Sequence, residues 1–310
     1  MQKLSCLTKT VCVFIAAMML MALPSLAADK YWKGSGASDN IDDGGNWWDG
    51  SGVGTGDNLY FNGVEGAKQP YCNKGADAWY GTIETQGSAP AITWSGDYTT
   101  ANKFENNASP NLFKIQSNIG SRSGVDLEIN PVGSGGMQIT GNVSINDADK
   151  WLKIYGSDDL DISGIISGAG GVDVTIFDTP TVILSGANTF PHEFNIYGGI
   201  VDLRNADPLD CVTINLGESS DSQDATIQIG ASGVDVDNAI TVISGSSGTK
   251  YLKQTHASTG AFSGDIPLLD SVTVSAISGS TLALSGAISA STRNVTFNDS
   301  GTVILPGANC

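Results

Sequence analysis

Two stretches of the chain, 121 residues apart, carry nearly the same text. Asp173 to Asn188 reads DVTIFDTPTVILSGAN and Asn294 to Asn309 reads NVTFNDSGTVILPGAN, identical at ten of sixteen positions without a gap. Self-similarity over such a distance marks a repeat architecture. Each copy is a short apolar strand, Thr-Val-Ile-Leu, followed by a Gly-Ala-Asn turn. A unit of that size cannot bury its own apolar face and must stack on neighbours. The likeness extends upstream. Leu160-Asp161-Ile162-Ser163-Gly164 answers Leu282-Ala283-Leu284-Ser285-Gly286, and Ile139-Thr140-Gly141-Asn142-Val143 answers Phe262-Ser263-Gly264-Asp265-Ile266. A unit of about 120 residues, several coils long, is therefore expected to recur.

The rest of the chain has the same texture. Leu127-Glu128-Ile129, Met137-Gln138-Ile139, Leu152-Lys153-Ile154, Thr226-Ile227-Gln228-Ile229 and Ile240-Thr241-Val242 each alternate apolar and polar residues and end near Gly, Asn, Asp or Ser. That period of two is a strand pattern, and no segment carries an apolar stripe of helical spacing and length. An all-β chain of this kind could be a sandwich or barrel. The internal repeat and the short strands favour a single right-handed parallel β-helix. At roughly 20–25 residues per coil, roughly 11–14 coils form a rod on the order of 55–65 Å long.

Residues 28–110 differ from residues 111–310. They hold Trp32, Trp47, Trp48, Trp79 and Trp94, five of the six tryptophans. A solenoid must close its first coil against water, and large aromatics do this with much buried apolar area. Residues 28–110 are read as an aromatic-rich N-terminal cap with the first coils, and 111–310 as the regular β-helix. Trp47, Trp48 and Trp94 are also the candidate ligand-contact aromatics, because aromatic side chains dominate binding surfaces.

Residues 1–27 read as a signal peptide. Lys3 and Lys9 precede an apolar run from Val11 to Leu23, and Ser25-Leu26-Ala27 supplies small residues at a cleavage site. The run is short for a bilayer span, and no later segment is apolar enough to be one. The chain is expected to be exported, with no transmembrane segment in its mature part. Net charge is −17 overall and −19 once Lys3 and Lys9 are removed. A surface so acidic repels phosphates, which excludes nucleic acid as a partner. Cys72, Cys211 and Cys310 remain after cleavage, an odd number at spacings that match no metal motif.

The segment 165–203, IISGAGGVDVTIFDTPTVILSGANTFPHEFNIYGGIVDL, resembles the autotransporter-associated β-strand repeat. Gly170-Gly171, Val182-Ile183-Leu184, Gly186-Ala187-Asn188-Thr189-Phe190 and Gly198-Gly199-Ile200-Val201 fill the places of that pattern, and Pro191-His192-Glu193 departs from it. Tyr31-Trp32-x-Gly, Asn46-Trp47 and Gly56-Asp57 followed by Phe61 are similar to the start of large secreted proteins carrying the repeat. The second copy, at 294–310, stops at Cys310 before its aromatic and second strand, which fits either a truncated chain or a natural short form whose Cys310 pairs between molecules. The resemblance implies a right-handed β-helical passenger, extracellular or at the cell surface or outer membrane of a Gram-negative-type bacterium. Its expected role is structural or adhesive and non-catalytic. Its expected partners are surface glycans or other cell-surface proteins. Gly186, Asn188, Gly307 and Asn309 would be the structural turns, the asparagines bonding the backbone of a neighbouring coil.

The competing reading is an extracellular polysaccharide lyase or hydrolase on the same fold. Paired carboxylates at i and i+2 lie about 6.5–7 Å apart on one strand face, within glycosidase range. Asp159 with Asp161 and Asp235 with Asp237 have that spacing, but 32 acidic residues produce such pairs by chance. Asn298-Asp299-Ser300-Gly301 matches a peptidase Asp-Ser-Gly, yet it is a repeat turn whose first copy, Phe177-Asp178-Thr179-Pro180, has no serine. A triad would also have to recruit His192 or His256. Calcium is the only cofactor to weigh. The loop Asp39 to Gly44 has Ile41 at a ligand position and Gly50 at the twelfth, which excludes an EF-hand. Gly168 to Ile176 approximates a calcium nonapeptide only once, where tandem copies are needed. No catalytic, cofactor or metal residue is assigned.

Overall fold

Alternation of apolar and polar residues becomes alternation of burial. Trp151–Ile154, Thr181–Leu184, Thr213–Leu216 and Ala239–Val242 each run half-buried, buried, half-buried, buried. A computed structural model of the chain describes residues 27–62, 69–73, 79–107, 109–206, 209–220, 222–290, 292–298 and 300–306. The expected signal peptide up to residue 26, and Gly307, Asn309 and Cys310, lie outside the described residues.

The strands form three sheets, and pairing within each is parallel. The architecture is a parallel β-solenoid. Register on the first face stacks Leu59, Ile83, Phe104, Ile129, Ile154, Ile176, Ile196, Leu216, Val242, Leu268 and Ala290 in one column. All but the last are buried. Ten stacking steps at ~4.8 Å give a column about 48 Å long. This is shorter than the sequence expectation because the column spans only residues 59–290, at a mean coil length within the expected range. Steps from Leu216 to Val242 and from Val242 to Leu268 each consume 26 residues, whereas the steps into Ile196 and Leu216 take 20. The second face carries a matching column, Ile92, Phe113, Met137, Leu160, Val182, Val201, Ile227, Leu252 and Val274. Between these two columns lies the continuous apolar core.

The two repeat copies do not occupy equivalent places. In the first copy, Asp173–Ile176 lies on the first face and Thr181–Leu184 on the second. In the second, Val295–Asn298 lies on the second face and Thr302–Ile304 in the four-stranded sheet that closes the third. The expected multi-coil unit does recur, rotated by one face: Met137–Ile139, Leu160–Ile162 and Thr181–Leu184 of the second face answer Thr259–Phe262, Thr281–Leu284 and Thr302–Ile304 of the four-stranded sheet. Corner glycines follow the same rotation. Gly164 and Gly186 follow strands of the second face, and Gly264 and Gly286 link strands of the four-stranded sheet to the first face. At each, a Cβ would fall 2.0 to 2.3 Å from a carbonyl oxygen of the coil below. Coils can stack this closely at a corner only where the side chain is a hydrogen.

The N-terminal end is closed by aromatics. Trp32 and Trp47 meet edge to face at 5.0 Å, Trp32 contacts Phe61 at 5.8 Å, and Phe61 and Tyr80 each meet Trp94 at 6.2 Å. The Trp47 indole N–H donates to the Ile41 carbonyl at 2.6 Å, so its polar atom is satisfied inside the cap. Lys30 pairs in register with Leu59, and its amine reaches Asp49 and Ser51, both at 2.5 Å. The same sheets continue across residue 110. Ile92–Gly96 pairs with Phe113–Ile115, and Thr99–Asn107 with Leu127–Pro131. At the other end Phe297, Ile304 and Leu305 are exposed.

Candidate binding surfaces

Of the three candidate contact tryptophans, Trp47 and Trp94 are fully buried in the cap and present no surface to a partner. Trp48 is 56% exposed, with the Lys33 amine 5.9 Å from its ring centroid. Backbone parity separates the adjacent pair: Trp47 points into the core and Trp48 away from it. Gly186 and Asn188 sit together at the corner after Thr181–Leu184. The Asn188 side chain is 2% exposed. Its oxygen accepts the Ile166 N–H of the preceding coil at 2.9 Å, and its amide donates to the Gly186 carbonyl at 3.0 Å.

The acidic pairs are surface groups. Asp159 is exposed and Asp161 accepts from the Gln138 amide at 3.2 Å. Asp235 and Asp237 flank buried Val236 and both face solvent. His192 Nδ1 lies 2.5 Å from Asp173, which also accepts the Glu193 N–H. That hydrogen bond and the Asp173 charge raise the histidine above its ordinary value. His256 lies 2.9 Å from the Ser258 hydroxyl in a local turn. In the loop near residue 40, Asp43 accepts N–H groups from Ser38 and Gly45, which lower its pKa, and Asn40 accepts from Asp42. These oxygens serve the loop's own backbone. Asp299 lies outside the described residues. Among the described residues no three His, Cys, Asp or Glu side chains converge in a metal-binding group. Cys72 is buried 3.8 Å from the Tyr80 hydroxyl. Burial pushes the Cys211 thiol up to about 12, with the nearby Asp210 charge adding to it.

A surface that sequence reasoning missed runs along the flank. Tyr155, Phe177 and Tyr197 each follow a member of the first core column, so they stack on the outside where Ile154, Ile176 and Ile196 stack within. Tyr155 and Phe177 lie face to face at 4.6 Å with 11° between planes, and Phe177 meets Tyr197 edge-on at 5.4 Å. Partial burial, the largest cause, raises both tyrosine hydroxyls. Beside Tyr155 a groove of about 530 Å³ is lined by Asn130, Val132, Asp178, Thr179 and Gln223. Asp178 adopts a left-handed backbone (φ 57°) and accepts the Gly156 N–H at 3.1 Å, which fixes the groove floor. Along the adjacent outward column, Asn215 donates to Asn195 at 2.8 Å and Asn195 to Thr175 at 3.4 Å. The flank thus offers an ordered aromatic ladder in register, whereas Thr175 and Asn195 of the amide ladder are buried. The signal for it was present as Ile-Tyr, Ile-Phe and Ile-Tyr at spacings of 22 and 20 residues.

No family model, no curated protein and no solved structure matches the chain, and its fold is that of a parallel β-solenoid.

Proposed function

We propose that the chain is a secreted or surface-displayed, non-catalytic β-helical passenger that acts as a structural or adhesive scaffold. The observation that carries this reading is the outward ladder of Tyr155, Phe177 and Tyr197 beside a polar groove. Aromatic faces and edges next to amides and a carboxylate suit sugar rings or protein side chains, and such mixed surfaces recur at binding sites. A stacked parallel core holds the ladder rigid, which lowers the ordering cost of binding. The reading fits an exported chain whose strongly acidic surface favours solubility. Partners of this class are surface glycans or cell-surface proteins.

The test is to incubate the mature chain with a panel of immobilised cell-surface polysaccharides and intact cells, measuring both retention and released product. Retention without new reducing ends or unsaturated sugars is expected, with loss of retention in Tyr155→Ala. Time-dependent product release would overturn the non-catalytic reading in favour of a lyase or hydrolase.

A further inference from the structure

A second groove, of about 430 Å³, crosses successive coils near the N-terminal end. Register builds it. Trp79 lies beside Thr100, Thr100 beside Gly120, and Gly120 beside Ser144. Ser121, Arg122, Asn146 and Asp147, which follow these strand residues, therefore line the same groove as Trp79 and Tyr98. The Arg122 guanidinium sits over the Trp79 ring, 3.7 Å from its centroid. Among the described residues it makes no ion pair, in a chain whose net charge is −17. Ser121 is 4% exposed, and its hydroxyl has no hydrogen-bond partner among them. The Tyr98 hydroxyl accepts from the Asn146 amide at 3.1 Å and keeps its own proton to give. One Asp147 oxygen accepts the Gly124 N–H, and the other is not bonded to it. Gly120 makes the arrangement possible. A Cβ there would fall 1.8 Å from the Tyr98 hydroxyl and 2.7 Å from the Ser144 carbonyl.

The geometry points to a subsite for a carboxylate-bearing sugar, a uronic acid unit of an acidic polysaccharide. A guanidinium stacked on an indole is held in place while its N–H fork remains unspent, and that fork matches a carboxylate with two parallel hydrogen bonds. The Trp79 and Tyr98 rings offer apolar walls to the C–H face of a pyranose. Ser121, Asn146 and the second Asp147 oxygen offer partners for ring hydroxyls. Each part excludes a simpler ligand. A neutral sugar would leave the guanidinium unpaired. An inorganic anion would gain nothing from the rings. The inference rests on the reading of the flanks as ligand surfaces, and it does not depend on whether the chain also performs catalysis.

Isothermal titration of the mature chain at fixed ionic strength tests it, using digalacturonate, neutral cellobiose and sodium sulfate as probes. Digalacturonate should bind in preference to both. Arg122→Ala should weaken it by about tenfold or more, and Arg122→Lys by a smaller factor because an ammonium lacks the fork. Gly120→Ala should weaken it without changing any charge, and Arg204→Ala, whose guanidinium is bonded to Asp202, should leave it unchanged. Arg122→Lys retains the positive charge and aliphatic stem, so it carries the test if Arg122→Ala fails to fold. No binding of digalacturonate, equal binding of sulfate or cellobiose, or binding indifferent to both Arg122 substitutions would overturn the subsite. Arg122-dependent binding followed by cleavage would keep the subsite and sink the non-catalytic reading. Adhesion to cells with no acidic-sugar binding would do the reverse.

Discussion

Asn188→Ala should be the most destabilising exchange at a corner of the solenoid that leaves the apolar core intact. The side chain is 2% exposed and makes two backbone hydrogen bonds, one of them to the preceding coil. Its loss leaves the Ile166 N–H, on a fully buried residue, without that acceptor. An unsatisfied buried donor costs about 1–3 kcal/mol, and the bond to the Gly186 carbonyl adds about 1 kcal/mol. The sum, about 2–4 kcal/mol, corresponds to a fall in Tm on the order of 3–7 °C for a domain of this size. Coils of a solenoid can unfold in part, so the sharper assay is amide hydrogen exchange, in which the Ile166 amide should lose protection while that of Ile214 does not. The comparison is Asn142→Ala. Asn142 also accepts a bond from the next coil, from the Ile165 N–H at 2.9 Å, but it is exposed, and Ile165 is 38% exposed. Water replaces that acceptor, and the expected change is within about 0.5 kcal/mol. Equal losses at Asn142 and Asn188, or none at either, would refute the argument from burial.

Three further outcomes follow from the described contacts. Trp47→Ala should cost about 3–5 kcal/mol and expose the end of the core to hydrophobic dyes, whereas Trp48→Ala should change stability by less than about 0.5 kcal/mol; thermal unfolding with dye binding separates the two. His192 gains its proton's partner on folding, so its pKa is raised from 6.5. Its contribution should be fully present below that value and lost as pH rises through the raised one, and Asp173→Asn should abolish that pH dependence in urea unfolding series across pH 5–9. At pH 8 the folded chain should alkylate at Cys211 roughly thirtyfold more slowly than a thiol at the usual value of 9, since a pKa of about 12 removes most thiolate while raising its intrinsic nucleophilicity; mass spectrometry of iodoacetamide-treated folded and urea-unfolded protein reads this directly.

The stacking architecture was legible because period-two alternation and corner glycines are local signals. Ser163-Gly164, Ser185-Gly186, Ser263-Gly264 and Ser285-Gly286 mark corners directly in the text. Which face a corner belongs to was not legible. The repeat copies differ by one face because the intervening coils run from 20 to 26 residues, so 121 residues is not a whole number of turns. Coil length is set by loops whose sequence carries no period. The same uncertainty hid both grooves. Trp79 and Asp147 are 68 residues apart, and only the register of the coils between them brings them to one wall. In the cap, Trp47 and Trp48 could not be told apart as core and surface because the short 3₁₀ turn at Gly44–Asn46 resets the alternation. The Tyr155–Phe177–Tyr197 ladder was readable in principle, since each aromatic follows an isoleucine at nearly constant spacing.

Both grooves depend on parallel coils in this register, and engineered cross-linking tests the register most directly. In a chain with Cys72, Cys211 and Cys310 replaced by alanine, the pair Asn195→Cys and Asn215→Cys occupies outward positions paired in adjacent coils. Their Cα atoms lie about 4.8 Å apart by strand spacing, within disulfide reach. Asn195→Cys with Thr241→Cys spans two coils, about 9.6 Å, and is out of reach. Rapid, complete oxidation of the first pair with none in the second is the predicted result. Failure of the first pair, or equal oxidation of both, would contradict the parallel solenoid.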